Sequence, residues 1–206
     1  CIMAFWNAPL ENAAHARDAV LSALQCQRVI AELNKSLDAG LPETPAIRIG
    51  INTGSMNVGF TGTERKLAYT VIGDEVNLAS RLEGANKFFG SDIIVSSATY
   101  EGAKDAVEAR YLGRARVVGK AVPVPVYEPL SEKGRLSAAW AEALPVWEKG
   151  VKAFYDKKYE QSLGVFTEFA KLMPEDGPGA LYLNLSRDYT ALPPDDWDQV
   201  FNLTAK

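Results

Sequence analysis

The stretch YTVIGDEVNLASRLEGANK, residues 69–87, decides the fold that the sequence predicts. Its first four residues, 69–72, form an apolar run typical of a short buried strand, and Gly73 interrupts the pattern. Asp74 is a residue type that favours the N-terminal cap of a helix, which we expect to reach about Phe88. The stretch therefore predicts a strand, a tight turn and a helix in direct succession.

The predicted helix has two different faces. An apolar stripe, which we expect to pack on a sheet, consists of Leu78, Leu82, Ala85 and Phe89. Asn77 and Arg81 are four residues apart, so their side chains leave a neighbouring face one turn apart. In an arbitrary helix such a pair is an ordinary solvated surface feature, and only the surrounding pattern points to a binding site.

A further feature of the stretch is the fixed spacing of its polar and small residues. The residues that carry this spacing are Tyr69, Thr70, Gly73, Asp74, Val76, Asn77, Ala79 and Arg81. The pattern resembles the second half of the catalytic domain of class III nucleotidyl cyclases, the adenylyl and guanylyl cyclases. The resemblance implies an α+β fold of the ferredoxin-like cyclase type, with a truncated antiparallel or mixed sheet and helices on one face.

The resemblance also implies roles for four residues. The equivalent of Asn77 orients the ribose, and the equivalent of Arg81 binds the α-phosphate, which a planar guanidinium can do with two hydrogen bonds. Thr70 stands where the family has an adenine-selecting Asp or Thr, so it favours ATP over GTP, although a family lysine that shares this task is not in this chain. Lys120 aligns with the lysine that holds the triphosphate, and its alternative interpretation is a solvated loop lysine.

Residues 1–6, CIMAFW, are interpreted as the second arm of a hairpin. In the resembling family this strand follows a Gly-Asp whose carboxylate holds the catalytic metals, and the partner Asp lies further upstream. We therefore expect the ligands of the two Mg²⁺ or Mn²⁺ ions of the complete enzyme to lie upstream of Cys1. On this interpretation the chain is a fragment of a longer protein, binds no metal by itself and is inactive alone.

Composition limits the class of protein. The 206 residues are 47% hydrophobic, enough for one ordinary core and a small second unit. A net charge of −4 argues against nucleic acid as the main partner. Cys1 and Cys26 suggest free thiols in a reducing compartment. No apolar run approaches the roughly 20 residues that span a bilayer, so we expect a cytoplasmic location, although similar cyclase domains are often joined to a sensor and to membrane helices.

The other elements of the first unit follow from periodicity. Asn12 is placed to cap a long helix that reaches about Asp38 and ends at Gly40. His15, the single histidine, has no second ligand at metal-binding spacing and is interpreted as a surface residue. Besides residues 69–72, strands are predicted at 47–52, 56–60, 92–96, 109–120 and 125–130, the last two as a closing hairpin.

The composition changes after residue 130. Residues 131–136 form a polar linker between a cyclase-like domain, 1–130, and a helical segment, 137–206. Helices at 138–156 and 159–173 have the approximate spacing of a tetratricopeptide repeat. A further helix is predicted at 177–189, followed by a short capping helix with Trp197, Val200 and Phe201. Such a small all-α repeat segment buries little alone, so we expect it to dock on the cyclase domain or on a protein partner; a packing tail without recognition is an equal alternative.

These expectations lead to two main hypotheses. In the first, the parent protein is an adenylate cyclase that converts ATP into 3',5'-cyclic AMP and pyrophosphate for intracellular signalling. Its site forms in a homodimer, where one domain supplies the metal carboxylates and the other supplies Asn77 and Arg81. In the second, the chain is a non-catalytic cyclase-homology module for dimerisation and protein interaction, which has no physical need of that residue pair. A guanylyl cyclase is a third possibility that Thr70 disfavours.

Overall fold

The structure, a computed structural model, describes residues 2–37, 45–63 and 66–203, and only the backbone of Lys66. Its helices and strands are, in chain order, α1 (His15–Ser36), β1 (Ile49–Ile51), β2 (Asn57–Thr63), β3 (Lys66–Ile72), α2 (Asp74–Phe89), β4 (Ile93–Ser96), α3 (Ser97–Ala103), β5 (Val107–Val117), β6 (Val124–Glu132), α4 (Ala138–Tyr155), α5 (Tyr159–Leu172), α6 (Gly177–Ala191) and β7 (Phe201–Leu203). The predicted end of α1 near Asp38 and Gly40 lies outside the described residues.

Five strands form a mixed sheet in the order β1-β4-β6-β5-β7. Strand β1 is parallel to β4, and β7 is parallel to β5. Strand β6 is antiparallel to both β4 and β5. Strands β2 and β3 make a separate antiparallel hairpin. The predicted α+β class, the mixed sheet and the closing hairpin of β5 and β6 are therefore confirmed.

Strand β4 has helices on both of its faces. Ile93 and Val95 pack with α1 and α3, whereas Ile94, which points the other way, packs with α2. A strand that is apolar on both sides needs cover on both sides. In this detail the structure differs from the prediction, which placed the helices on one face of the sheet.

The N-terminal residues differ from the prediction as well. Residues 2–6, predicted as a strand, belong to no strand. An extended segment becomes a strand through a ladder of hydrogen bonds with a neighbour, and this segment lies instead against the β2–β3 hairpin, with the ring centroids of Phe5 and Tyr69 6.0 Å apart. Asn12 precedes α1, and its Oδ1 accepts a hydrogen bond from the amide of Ala14 at 2.8 Å. The N-cap position is Ala14, without a side-chain hydrogen bond, so the predicted capping role of Asn12 is wrong.

The helical segment shares one hydrophobic core with the sheet. Its largest buried side chains are Trp147, Phe154, Phe166, Phe169 and Tyr182. They pack in the same cluster as the apolar stripe of α2 and the buried residues of β5 and β6. Strand β6 extends to Glu132, so the first two residues of the predicted linker lie in a strand. The division into two units and the tetratricopeptide likeness stay predictions.

A buried ion cluster also joins the helical segment to the sheet. Arg110 of β5 donates to both carboxylate oxygens of Asp176, just before α6, at 2.8 and 2.7 Å, and to Glu128 of β6 at 2.7 Å. The same guanidinium lies over the rings of Trp140 and Trp147 in α4, 4.6 and 4.3 Å from their centroids. Arg110, which is 2% exposed, therefore makes both ion pairs and cation–π contacts.

The end of the chain contains a strand where a capping helix was predicted. Residues 201–203 form β7 and lie parallel to residues 115–117 of β5. The ring of Phe201 is buried against Phe89 and Tyr182, at centroid distances of 5.5 and 6.0 Å. This burial, together with hydrogen bonds to the edge of β5, favours the extended conformation over the helical one. Within the described ranges, no helix is both long and apolar enough to cross a membrane.

Candidate active site

Helix α2 holds the candidate residues close to the end of β3. Its apolar stripe is buried as predicted, with Leu82 and Phe89 fully inaccessible. The N-cap position is Gly73, without a side-chain hydrogen bond, so the predicted capping role of Asp74 is wrong. The carboxylate of Asp74 pairs with Lys120 instead, because an ammonium within reach is a stronger partner than a backbone amide.

Lys120 lies at the N-terminal end of α2. Its Nζ pairs with Asp74 and, at 3.1 Å, with Oε1 of Glu75. Glu75 is itself held by Asn52, whose Nδ2 donates to Oε2 at 2.8 Å. The side chain of Lys120 is only 20% exposed. The lysine is therefore kept in a defined place by two carboxylates, with which an incoming phosphate would compete.

These contacts keep the cluster ionised at neutral pH. The hydrogen bond from Lys120 lowers the pKa of the Asp74 carboxyl. The hydrogen bond from Asn52, and then that from Lys120, lower the pKa of Glu75. The same pairing, with Asp74 first and Glu75 second, raises the pKa of the Lys120 ammonium. A cation is thus available at this end of α2 throughout the neutral range.

Arg81 approaches the turn that carries Lys120. Gly119, directly before this lysine, has φ +74°, and a Cβ placed there would lie 3.1 Å from Nη2 of Arg81. Arg81 forms no ion pair with any residue in the described part of the chain, and its Nη1 is buried without a hydrogen-bond acceptor. A buried donor without an acceptor is unfavourable, so an anionic oxygen brought by a ligand would stabilise this arrangement.

Of the other two candidate residues, Thr70 lies on β3 and Asn77 on α2. Asn77 is exposed one helical turn before Arg81, as predicted. Thr70 is half-buried and is paired with Gly59 across the β2–β3 hairpin. Neither side chain hydrogen-bonds to another residue that the structure describes. Arg81 therefore lies beside Gly119, the residue before Lys120. No side-chain hydrogen bond among the described residues joins Thr70 or Asn77 to these two residues.

Three residues of this cluster were absent from the sequence prediction. Glu75 pairs with Lys120, Asn52 holds Glu75, and Gly119 gives space to Arg81. The glycine could have been noticed as the turn residue before the candidate lysine. The two polar residues carry no such signal, because they lie far from Lys120 in the sequence and meet it only in the folded chain.

The described residues do not offer a metal site. They include no group of three or more His, Cys, Asp or Glu side chains that could hold a metal ion. Asp74 and Glu75 are the carboxylates nearest to the candidate residues, and both are engaged by Lys120. The divalent ions that the resemblance implies therefore have no ligand set within these residues.

Comparison with protein families identifies what the first part of the chain is similar to. A family model described as the adenylate and guanylate cyclase catalytic domain matches residues 1–128. Adenylate cyclase 1 of Rhizobium meliloti is 41% identical over 128 residues, which are 62% of this chain and 19% of that protein. The chain thus spans about a fifth of the length of this curated relative.

Solved structures agree with the sequence match. The adenylyl cyclase CyaB from P. aeruginosa is 34% identical with a TM-score of 0.56, and the match covers 65% of this chain and 68% of that one. The guanylate cyclase domain of RhGC from Catenaria anguillulae, solved in complex with GTP, is 31% identical with a TM-score of 0.51, covering 62% and 65% of the two chains. Similar structures therefore include both an adenylyl and a guanylate cyclase.

Proposed function

Because this chain belongs to the adenylate and guanylate cyclase catalytic domain family, we propose that the protein containing it converts ATP into 3',5'-cyclic AMP and pyrophosphate. In this reaction the ribose 3'-oxygen bonds to the α-phosphorus while the bond to the pyrophosphate breaks. The observation that carries the proposal is the state of Arg81, a guanidinium without an ion-pair partner among the described residues and with a buried unpaired donor. A phosphate oxygen is the kind of acceptor that such a group binds best.

The four residues named from the sequence receive separate roles in this proposal. Arg81 binds the α-phosphate and stabilises the negative charge that develops there. Lys120 leaves Asp74 and Glu75 to hold the outer phosphates, and the two carboxylates keep it in place until nucleotide binds. Asn77 orients the ribose, which its exposed position on α2 allows. Thr70 contacts the purine from the end of β3.

A second cyclase domain is part of the proposal. In the family, one domain supplies the metal-binding carboxylates and the other supplies the Asn and the Arg, and the four residues named here belong to the second set. The β2–β3 hairpin supports such an interface, since its apolar side chains are unusually exposed. Phe60 is 74%, Leu67 63% and Ile72 56% exposed. An apolar patch of this kind is typical of a surface that meets another protein, and we propose a second copy of the chain as its partner.

The test of the proposed function is the variant Arg81→Ala in the full-length protein. We expect kcat for cyclic AMP formation to fall by about two orders of magnitude or more, the usual effect of removing one transition-state donor. The effect on KM should be smaller, because the contact strengthens as the α-phosphate becomes pentavalent. Turnover is measured by chromatographic separation of cyclic AMP from ATP.

A suitable control is Arg48→Ala, which removes an exposed arginine paired with Glu83 on the surface of the same helix. This variant should keep its turnover. If Arg81→Ala keeps its turnover as well, the role assigned to Arg81 is wrong. The non-catalytic interaction module would be favoured instead if the full-length wild-type protein forms no cyclic AMP.

GTP is the competing substrate, because a guanylate cyclase is among the similar structures. Thr70 supports ATP, so we expect the ratio of kcat/KM values to favour ATP over GTP. The same assay with each nucleotide distinguishes the two activities, and preferred turnover of GTP would contradict the role proposed for Thr70.

A further inference from the structure

The C-terminal strand β7 lies beside the turn that carries Lys120. Residues 201–203 pair with residues 115–117, the last three residues of β5. Val117, which pairs with Leu203, accepts a hydrogen bond through its carbonyl from the backbone amide of Lys120 at 3.0 Å. A single residue therefore connects the last strand of the chain to the candidate phosphate-binding lysine.

Arg116 makes a second connection between the same two segments. Its Nη1 donates to Oδ1 of Asn202 at 2.5 Å, and its Nη2 donates to Oδ2 of Asp198 at 3.0 Å. Its Nε donates to the carbonyl of Ala121, the residue after Lys120, at 3.2 Å. The guanidinium of Arg116 thus binds the C-terminal segment through Nη1 and Nη2 and the lysine turn through Nε.

Apart from the ion pairs of the Lys120 side chain and the pairing of β5 with β6 at its base, the turn buries little apolar surface. Its apolar side chains are exposed, Val118 by 43% and Val122 by 74%. A turn with little buried surface depends on its hydrogen bonds for a defined conformation. By contrast, β7 is firmly placed, because Phe201 is buried against Phe88 and Phe89 at the end of α2, with ring centroids 5.5 Å away in both cases.

We propose that the C-terminal segment, residues 198–203, positions Lys120 for the triphosphate, and that Arg116 is the positioning residue that transmits this. The inference rests on the proposed function of Lys120 and assigns the helical segment a part in nucleotide binding. Arg116 does not touch the nucleotide itself. Its removal leaves the lysine in the protein but lets the turn adopt other conformations, so that less of the enzyme is ready to bind phosphate.

A double-mutant cycle in the full-length protein tests this proposal. We expect Arg116→Ala to lower kcat/KM for ATP by about fivefold, because the lysine turn itself loses one hydrogen bond, the one to Ala121. In a Lys120→Ala background the same change should lower it no further, because the group that Arg116 positions is gone. A merely structural role of Arg116 would give equal losses in both backgrounds, and that result would overturn the proposal.

A matched control is Arg28→Ala, which removes an equally exposed pair with Glu132 on another side of the sheet. It should leave kcat/KM unchanged. Asn202→Ala keeps Arg116 but removes its closest acceptor. This variant should also lower kcat/KM for ATP. If Asn202→Ala instead behaves like the Arg28 control, the C-terminal segment has no part in positioning Lys120.

Amide hydrogen exchange separates the failure of this proposal from the failure of the proposed function. The amide of Lys120, bonded to Val117, should exchange faster in Arg116→Ala than in the wild type, whereas amides in α5 should not change. Unaltered exchange at Lys120 would overturn the proposal directly. If Lys120→Ala alone keeps full activity, the proposed role of the lysine is wrong, and faster exchange would still show that Arg116 orders the turn.

Discussion

At the scale of single residues, the backbone conformation of Gly119 affects two candidate site residues, Lys120 and Arg81. Its φ of +74° lies in the left-handed region, which glycine adopts more readily than any residue with a Cβ. The position where a Cβ would stand is 3.1 Å from the guanidinium of Arg81. A side chain at this position would therefore disturb both the turn of Lys120 and the placement of Arg81.

Gly119→Ala should lower activity more than its effect on stability predicts. We expect the left-handed conformation to destabilise the fold by about 1 kcal/mol, and the added methyl group to displace Arg81 and lower kcat/KM severalfold. Gly134→Ala is the matched control, because Gly134 has φ +72° and open space around its Cβ position. Denaturant unfolding and ATP turnover are measured for both variants; equal losses of activity would show that the contact with Arg81 is unimportant.

The sequence offered candidate site residues but not the partners that hold them. Asn77 and Arg81 were singled out because the stretch around them resembles the class III cyclase domain; their spacing of four indicates only that they share a face of one helix. Glu75 and Asn52 could not, because Lys120 reaches Glu75 from a distant turn and Asn52 holds Glu75 from another distant segment. Short-range spacing is readable from sequence, whereas contacts created by the tertiary fold are not.

At the scale of secondary-structure elements, the buried Arg110 cluster determines how the helical segment sits on the sheet. Asp176 binds Arg110 through both carboxylate oxygens and also caps α6, accepting a hydrogen bond from the amide of Gly179 at 2.7 Å. Arg110 and Asp176 are 1% and 8% exposed in their side chains. The carboxylate of Asp176 therefore fixes the start of α6 to β5, because it binds Arg110 and caps the helix at the same time.

Removing Arg110 should strongly destabilise the protein. In Arg110→Ala two carboxylates, Glu128 and Asp176, would remain buried without their cation, for which we expect a loss of about 3 to 5 kcal/mol in the free energy of unfolding. Arg28→Ala breaks an exposed pair and should lose less than about 1 kcal/mol. Urea unfolding of the two variants measures the difference. Similar losses would mean that the buried cluster contributes no more than a surface ion pair.

The helices of the chain were predicted from sequence more accurately than its last strand. The helices α2, α4, α5 and α6 follow from local periodicity, and the structure has them close to the expected bounds. The strand β7 was predicted as a helix, because the preference of residues 197–201 was read without the edge of β5 and the rings that bury Phe201. A three-residue strand exists only through its partner, and its partner is invisible in a local pattern.

At the scale of the whole molecule, buried tyrosines connect the helical segment with the sheet. Tyr182 is fully buried and donates a hydrogen bond to the carbonyl of Leu112 at 2.8 Å. Burial raises the pKa of the Tyr182 hydroxyl well above its ordinary value, and burial also raises the pKa of Tyr155 and Tyr111. In the unfolded chain tyrosines ionise near pH 10, so the folded chain retains protons there that the unfolded chain releases.

Stability should therefore fall as the pH rises above about 10. A tyrosine with a raised pKa contributes its full stabilisation below the unfolded pKa and loses it above, by about 1.4 kcal/mol per pH unit for a single group. Urea unfolding on both sides of this pH measures the slope, and tyrosinate absorbance should rise together with unfolding. In Tyr182→Phe the stability should decline less steeply with pH; an unchanged slope would exclude this residue as a source of the dependence.

The parallel pairing of β7 with β5 also sets the order in which the molecule can be completed during synthesis. Chains fold from the N-terminus as they leave the ribosome, yet residues 201–203 emerge only after the six helices found among the described residues. Until then the last residues of β5 lack their neighbour, and the adjoining lysine turn has only part of its support. A nascent chain can thus bury most of its core before the lysine turn is fully supported. On the proposed role of Lys120, full activity is expected only after this region has been translated.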